Sequence, residues 1–249
     1  MRKQFLIFPL LLSFLFLTGC NDDDDDSSAA QVTSQIVFKP KMGTDDFSMS
    51  DVITYSNGTT MRYEQFKYYI SNVILVGSNG EETYVDSVHL IDLDDPGSGM
   101  FDIELESGAY EKIKFGIGLS PNFNSSDPTL YEIDHPLSTL QNMYWSWATM
   151  YRFISISGYY STTSTSDLTE TFAWHPGRDQ LYKEVEFNLY QKHFYDDTVL
   201  EFNLDIPGII NKIETVDVPN EPTWHGSVAD IAVAQKIVDN FAASLSIKN

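Results

Sequence analysis

Two of the chain's five histidines lie where a strand would direct them into the protein. His89 lies in the segment Val88-His-Leu-Ile-Asp92, and by alternation it shares an inward face with Ile91. His175 ends a second predicted strand, Phe172-Ala-Trp-His-Pro-Gly177. An imidazole on an apolar face is most often a core histidine with one hydrogen bond. The functional alternative is metal ligation, because neutral imidazole suits copper and zinc, and two imidazoles in aromatic surroundings suit Cu(I).

The other three histidines carry weaker signals. His135 lies in a long polar segment, 120–141, where a surface position is the favoured interpretation. His193 follows Gln191-Lys192 in a polar run and is predicted to be exposed. His225, in Thr-Trp-His-Gly just before a predicted helix, is interpreted as structural. From the residues alone, joint metal ligation by His89 and His175 therefore stays the alternative to two separate core histidines.

An aromatic stretch could form the wall of such a site. Five aromatic residues fall within ten positions of the segment 142–158, namely Tyr144, Trp145, Trp147, Tyr151 and Phe153. Trp and Tyr combine a large apolar area with one polar group, so the stretch predicts either a core centre or a site wall, and a core is the commoner outcome. In the site interpretation, indoles exclude water from the histidines and thioethers lie nearby; these residues are Trp145, Trp147, Trp174, Met143 and Met150.

Motifs of the common enzyme classes are absent from the sequence. It has no phosphate-binding glycine loop, no dinucleotide fingerprint, no His-Glu-x-x-His and no Gly-x-Ser-x-Gly. The many acidic residues single out no catalytic pair. We therefore predict a protein that is not an enzyme.

The N-terminus predicts export and lipidation. A basic start precedes an apolar run from Phe5 to Leu17, which is too short to span a membrane. Leu17-Thr-Gly-Cys20 resembles a bacterial lipobox, which implies a signal peptide over 1–19 and lipid on Cys20 in the outer membrane. Cys20 is the single cysteine, so no disulfide can form within the chain. Residues 20–33, with five consecutive aspartates, predict a solvated tether; such an acidic run also resembles the surface-export signal of some lipoproteins.

The charge balance excludes several kinds of partner. The formal net charge is −21, and it becomes −23 without Arg2 and Lys3 of the leader. So acidic a surface argues against nucleic acid and against anionic lipid as ligands.

Hydrophobic alternation is the dominant pattern in residues 34–249. Apolar residues recur at every second position in a series of segments, and helical spacing appears only from Ser227 onward. The alternating segments begin near Ile36 and recur at 66–76, 84–93, 101–105, 113–119, 151–156, 169–175, 185–189 and 200–206. This pattern predicts an all-β fold, an antiparallel β-sandwich with long loops and a C-terminal α-helix.

Five segments, in order, resemble the motifs of the MbnP-like family. They are Phe66-Lys-Tyr-Tyr-Ile-Ser-Asn-Val-Ile-Leu75, Val88-His-Leu-Ile-Asp92, Gly108-Ala-Tyr110 with Phe115-Gly-Ile-Gly118, Met143-Tyr-Trp-Ser-Trp147 with Tyr151-Arg-Phe153, and Phe172 to Gly177. The matches run from about Phe38 to Leu189, which is most of the mature chain, and the Met-Tyr-Trp-x-Trp segment is the most diagnostic.

The resemblance implies a copper-linked protein of the periplasm or cell surface. In this family, copper-binding members hold Cu(I) through two histidines and a tryptophan oxidised to kynurenine by a dihaem peroxidase-type partner. Carried over, the two histidine positions are His89 and His175, whereas the modified tryptophan's position is Ser87, so the resemblance implies that the kynurenine ligand is absent here. The family's glycine before Tyr-x-Phe is Met150 in this chain.

Two functions remain open at this point. The first is a lipid-anchored, non-enzymatic protein that binds or handles copper. The alternative is a metal-free interaction module that binds a protein or a glycan through the segments 120–141 and 159–168.

Overall fold

The computed structural model describes residues 30–146, 148–229 and 231–248. The signal peptide, Cys20 and most of the tether lie outside the described residues, as does Trp147. β1 begins at Gln31, so this strand includes the last three residues assigned above to the tether. Among the described helices, none has the length and hydrophobicity that crossing a bilayer would require.

Strands dominate the described chain, and three α-helices lie between them. The strands are β1 Gln31–Met42, β2 Asp45–Asp46, β3 Ile53–Thr54, β4 Thr60–Gly77, β5 Glu82–Asp92, β6 Met100–Glu106, β7 Gly108–Ile117, β8 Tyr144–Trp145, β9 Met150–Tyr151, β10 Ile154–Ser161, β11 Glu170–Trp174, β12 Lys183–Phe194, β13 Val199–Asp205, β14 Thr223–Trp224 and β15 Leu245–Ile247. The helices are α1 Pro121–Asn124, α2 Gly208–Asn211 and α3 Ile231–Ser244.

Two large sheets form a sandwich-like arrangement, which confirms the predicted fold class, and β8 and β9 pair separately as a two-stranded hairpin. One sheet has the order β15-β13-β1-β2, with β6 also paired to β1. The other has the order β12-β7-β4-β10-β11-β14, with β3 and β5 also paired to β4. Most pairs are antiparallel as predicted, but β1 with β13 and β11 with β14 are parallel, so the sheets are mixed.

Aromatic side chains join the two sheets. Phe38 on β1 lies 5.6 Å from Phe115 on β7 and 6.4 Å from Tyr68 on β4, ring centroid to ring centroid. Phe202 on β13 contacts the same Phe115 at 5.2 Å. All four side chains are buried, and edge-to-face aromatic pairs add stabilisation beyond the area that they bury.

The C-terminal helix covers one end of this core. Phe241 of α3 lies 4.8 Å from the Tyr68 ring. The buried amide of Asn240 accepts from the backbone N–H groups of Ile213 and Glu214 and donates to two carbonyls, which ties the helix to the segment before it. The helix begins at Ile231, four residues after the predicted start at Ser227, and Leu245 belongs to β15 instead of the helix.

Three local features differ from the prediction. β1 begins at Gln31, before the predicted start near Ile36, and continues to Met42. Asn72 adopts φ 54°, and the pairing of β4 shifts register between Ser71 and Ile74, so a bulge interrupts the predicted single-face alternation there. The long segment 120–141 contains α1 and two short 3₁₀ turns, Pro128–Leu130 and Thr139–Gln141.

Candidate metal centre

The structure brings together two histidines, His175 and His225. Each follows a short strand directly, and β11 and β14 run parallel with Trp174 opposite Trp224. The backbone N–H of His175 donates to the Trp224 carbonyl at 3.0 Å, which fixes the two segments side by side. As a result the Nδ1 atoms of His175 and His225 lie 2.9 Å apart. His175 is buried, with 7% of its surface exposed, whereas His225 is exposed.

Contacts beyond the strands hold the two histidine segments in register. The guanidinium of Arg178 donates from Nε and Nη2 to the Gly226 carbonyl, at 3.1 and 2.6 Å. Thr149 lies between the segments, because a Cβ added to Gly177 would lie 2.7 Å from its Cβ and a Cβ added to Gly226 would lie 3.0 Å from its Cγ2. Glycine at both positions therefore allows the backbone to close around Thr149.

The hairpin formed by β8 and β9 supplies the aromatic wall. The Trp145 ring meets His175 edge-to-face at 4.8 Å and lies 5.7 Å from the His225 ring. The guanidinium carbon of Arg152 lies 4.6 Å from the Trp145 ring centroid. Trp145 therefore contacts both imidazoles and a cation, and its predicted role of excluding water from a metal stays a prediction.

Both imidazoles are held in the neutral form. Burial lowers the pKa of His175 to about 3, and the positive charge of Arg152 and the neighbouring His225 lower it further in the same direction. Burial, followed by the charge of Arg152, also lowers the pKa of His225 below its ordinary value. At neutral pH each ring therefore keeps one nitrogen lone pair that can bind a metal ion.

His89 does not lie in this centre, which corrects the predicted pairing of His89 with His175. Tyr68 on β4 pairs with Ile91 of β5 and with Ile154 of β10, so these two strands flank β4 on opposite sides. β4 and β10 thus separate β5 from β11, and three interstrand spacings amount to about 14 Å. His89 instead hydrogen-bonds the Asp86 carboxylate through Nε2 and stacks on Phe101 at 3.6 Å between ring centroids.

The remaining predicted site residues have other surroundings. Trp174 is fully buried, packs on Phe172 and donates from its indole N–H to the Glu221 carbonyl. Met143 is buried in the hydrophobic core. Met150 is exposed, and the Tyr144 hydroxyl donates to its sulfur at 3.6 Å.

Of the two histidines outside these contacts, His193 is exposed as predicted, whereas His135 is half-buried instead of lying at the surface. His135 stacks on Tyr131 in the segment 120–141, and its Nδ1 accepts from the Leu137 N–H. His193 is exposed on β12 and stacks on Tyr195.

The donor set fits a soft monovalent ion better than a hard divalent one. No group of three or more His, Cys, Asp or Glu side chains that could hold a metal occurs in the part of the chain that the structure describes. Structural zinc takes four ligands in tetrahedral geometry, whereas Cu(I) accepts two soft or imidazole donors. A pair of neutral imidazoles under an indole satisfies the second requirement and not the first.

Comparisons with known proteins agree with the fold and the motifs. The family model named MbnP matches residues 31–225. The solved structure of MbnP from Methylosinus trichosporium is similar to this chain, with a TM-score of 0.56 at 13% sequence identity, covering 88% of this chain and 98% of that chain. No curated protein matches the sequence. The family match takes in both histidines of the centre, and the chain belongs to the MbnP family, which is associated with copper.

Proposed function

We propose that this protein is a lipid-anchored, non-enzymatic protein of the cell envelope that binds Cu(I) through His175 and His225. The observation that carries the proposal is the pair of Nδ1 atoms 2.9 Å apart, one on a buried and one on an exposed imidazole. The copper association of the family supports the choice of metal. The exposed ring gives the ion a route from solvent, and the buried ring and Trp145 limit the access of water.

Binding requires a small rearrangement of the pair. A direct Nδ1–Nδ1 hydrogen bond needs one ring with hydrogen on Nδ1 and the other with a free lone pair. Two metal–nitrogen bonds of about 2.0 Å each would place the nitrogens up to about 4 Å apart. We therefore expect the donor ring to move its hydrogen to Nε2 and the exposed His225 to swing outward by about 1 Å, while the buried His175 stays in place.

A Cu(I) titration tests the proposal. The purified protein is titrated under reducing, anaerobic conditions against a chromophoric Cu(I) chelator. We expect the wild type to withdraw one equivalent of copper and the double variant His175→Ala/His225→Ala to withdraw none. A wild-type protein that leaves the chelator fully loaded would refute copper binding.

The anchor is proposed from the sequence alone. Lipid on Cys20, with the acidic run behind it as a solvated tether, would hold the domain at the outer membrane, in the periplasm or at the cell surface. Replacing Cys20 with Ser should release the protein from the membrane fraction into the soluble fraction. The dihaem peroxidase-type partner implied by the family resemblance also stays a prediction.

A supporting side chain should tune the affinity. We expect Arg178→Ala to weaken Cu(I) binding by roughly tenfold, because losing the two bonds to Gly226 O lets the His225 segment drift, as for other supporting contacts of metal ligands. Alanine keeps the backbone strain of this position, where φ is 78°, unchanged. Chelator competition on wild type and variant measures the ratio, and an unchanged affinity would show that β11–β14 pairing alone holds the pair.

One observation favours the alternative function. Three apolar side chains in the segment 120–141 are largely exposed, with Leu130 at 82%, Ile133 at 61% and Leu140 at 64%. Exposed apolar groups close together in the chain are typical of binding surfaces. An interaction module would retain its partner after copper is removed, and this separates it from the copper function.

A further inference from the structure

Arg152 carries a buried charge that pairs with no carboxylate among the residues the structure describes. Its residue surface is 4% exposed, and its Nε and Nη2 atoms have no hydrogen-bond partner. None of the ion pairs in the described part of the chain includes Arg152. A buried, unpaired guanidinium is costly to desolvate, and its stacking on Trp145 offsets only part of that cost.

The backbone fixes this charge beside the histidine pair. The N–H of Arg152 donates to the Met143 carbonyl at 2.7 Å, and Arg152 forms a β-bridge with Gly177, two residues after His175. The guanidinium carbon and the His175 ring both lie within 5 Å of the Trp145 ring, on which they converge. The cation and the proposed metal ligands therefore share one indole.

We propose that Arg152 sets the charge selectivity of the His175–His225 centre, so that the centre accepts a monovalent cation and rejects divalent ones. This inference rests on the proposed function, because it concerns the same two ligands. Among the described residues, no carboxylate joins the two histidines in a group that could hold a metal, so none offsets the added charge of a divalent ion. The guanidinium repels every cation, and it repels a divalent ion twice as strongly.

The size of the effect follows from Coulomb's law. One extra unit of charge at about 8 Å from the guanidinium, with an effective dielectric constant of about 20, changes an equilibrium constant by roughly thirtyfold. The guanidinium is buried, so solvent screens its field less than it would screen an exposed charge. A thirtyfold preference for Cu(I) over Zn(II) or Cu(II), beyond that of the donor set, is therefore assigned to one side chain.

The test compares metal selectivity in three variants. Arg152→Met removes the charge and keeps the apolar bulk, and Arg152→Lys keeps the charge. Arg62→Met is the matched control, because Arg62 also stacks on an aromatic ring, Tyr159 at 5.6 Å, but is exposed and paired with Glu64. Dissociation constants for Cu(I) and Zn(II) are measured for each protein with competing chelators, and the reduction potential of the bound copper is measured by equilibrium titration.

We expect the Cu(I)-to-Zn(II) preference to fall about thirtyfold in Arg152→Met, mainly through tighter Zn(II) binding. The copper potential should fall in the same variant, since Cu(II) is repelled less. Arg152→Lys and Arg62→Met should keep the wild-type preference. An Arg152→Met protein with the wild-type ratio and potential would overturn the inference while leaving copper binding intact, whereas a wild type without Cu(I) affinity would defeat the proposed function itself.

Folding is not expected to obscure the result. Replacing a buried, unpaired charge by an apolar side chain of similar volume is neutral or stabilising, so Arg152→Met should unfold at the wild-type temperature or above it. If Arg152→Met does not fold, Arg152→Gln provides the same comparison, because it removes the charge and keeps a polar end. A wild-type metal preference in a folded Arg152→Gln would equally overturn the inference.

Discussion

Replacing His225 with alanine should weaken Cu(I) binding more than a hundredfold, whereas His89→Ala should leave the affinity unchanged. The reason is geometric: His225 Nδ1 lies 2.9 Å from His175 Nδ1, and His89 lies on β5, on the opposite side of β4 and β10. Removing one of two ligands should exceed the tenfold to hundredfold loss that is typical for supporting residues around a metal. Chelator competition under reducing conditions measures both variants against the wild type.

Both substitutions remove contacts, so stability is measured beside affinity. His225→Ala removes the hydrogen bond to the buried Nδ1 of His175, which costs about 1–3 kcal/mol, and thermal unfolding of the variant separates loss of binding from loss of fold. His89→Ala removes the stacking on Phe101 and the contact with Asp86. The opposite outcome, with intact binding in His225→Ala and lost binding in His89→Ala, would place the copper site on β5.

The fold was accessible from the sequence because its main signal is local. Alternation marks β6 directly: Phe101, Ile103 and Leu105 are buried while the residues between them are exposed. The same period marks β13, where Leu200, Phe202 and Leu204 are buried. Where one face of a strand is buried, the local hydrophobic pattern specifies its pairing register, so this register can be predicted without knowledge of distant contacts. The parallel pairing of β1 with β13 does need such information, because the relative direction of the two strands depends on the path of the chain between them.

The partner of His175 was not accessible in this way. β14 has only two residues, too few for any periodicity, and it joins β11 across 50 positions of the chain. His225 was interpreted as structural because it lies just before a predicted helix. His89 was predicted as a ligand because it shares an apolar face of its strand, but in the structure its ring packs against Phe101. The available signal was the repeated Trp-His pair, Trp174-His175 and Trp224-His225, since two strands with buried tryptophans in register carry their next residues together.

The strained backbone at Met150 could not be predicted from the hydrophobic pattern either. Met150 adopts φ 64°, the left-handed conformation that favours glycine, at the position where the family resemblance has glycine. The strained residue follows Thr149, which lies against Gly177 and Gly226, and precedes Tyr151 and Arg152. The β8–β9 hairpin therefore places Trp145 and Arg152 at the histidine pair, and Met150 adopts the strained left-handed backbone conformation within it.

Acid should destabilise the wild type more steeply than His175→Asn. The folded-state pKa of His175 is about 3, below the ordinary value near 6.5, because burial and the charge of Arg152 oppose protonation. Between these two values the unfolded chain binds a proton that the folded chain does not. Stability is therefore complete above about pH 6.5 and is lost as the pH falls toward 3, by about 1.4 kcal/mol per pH unit.

At pH 4 this linkage amounts to roughly 3 kcal/mol. Asparagine places a non-titrating nitrogen or oxygen near the position of Nδ1, so it can keep a hydrogen bond to His225 while removing the linkage. Urea unfolding of the copper-free proteins from pH 7 to pH 4 gives the difference curve, in which the shared titration of the carboxylates cancels. A difference that stays flat would mean that the folded pair takes up the proton and shares it between the two Nδ1 atoms. A slope beginning near pH 6.5 would instead show that burial, together with the charge of Arg152, keeps His175 free of an added proton.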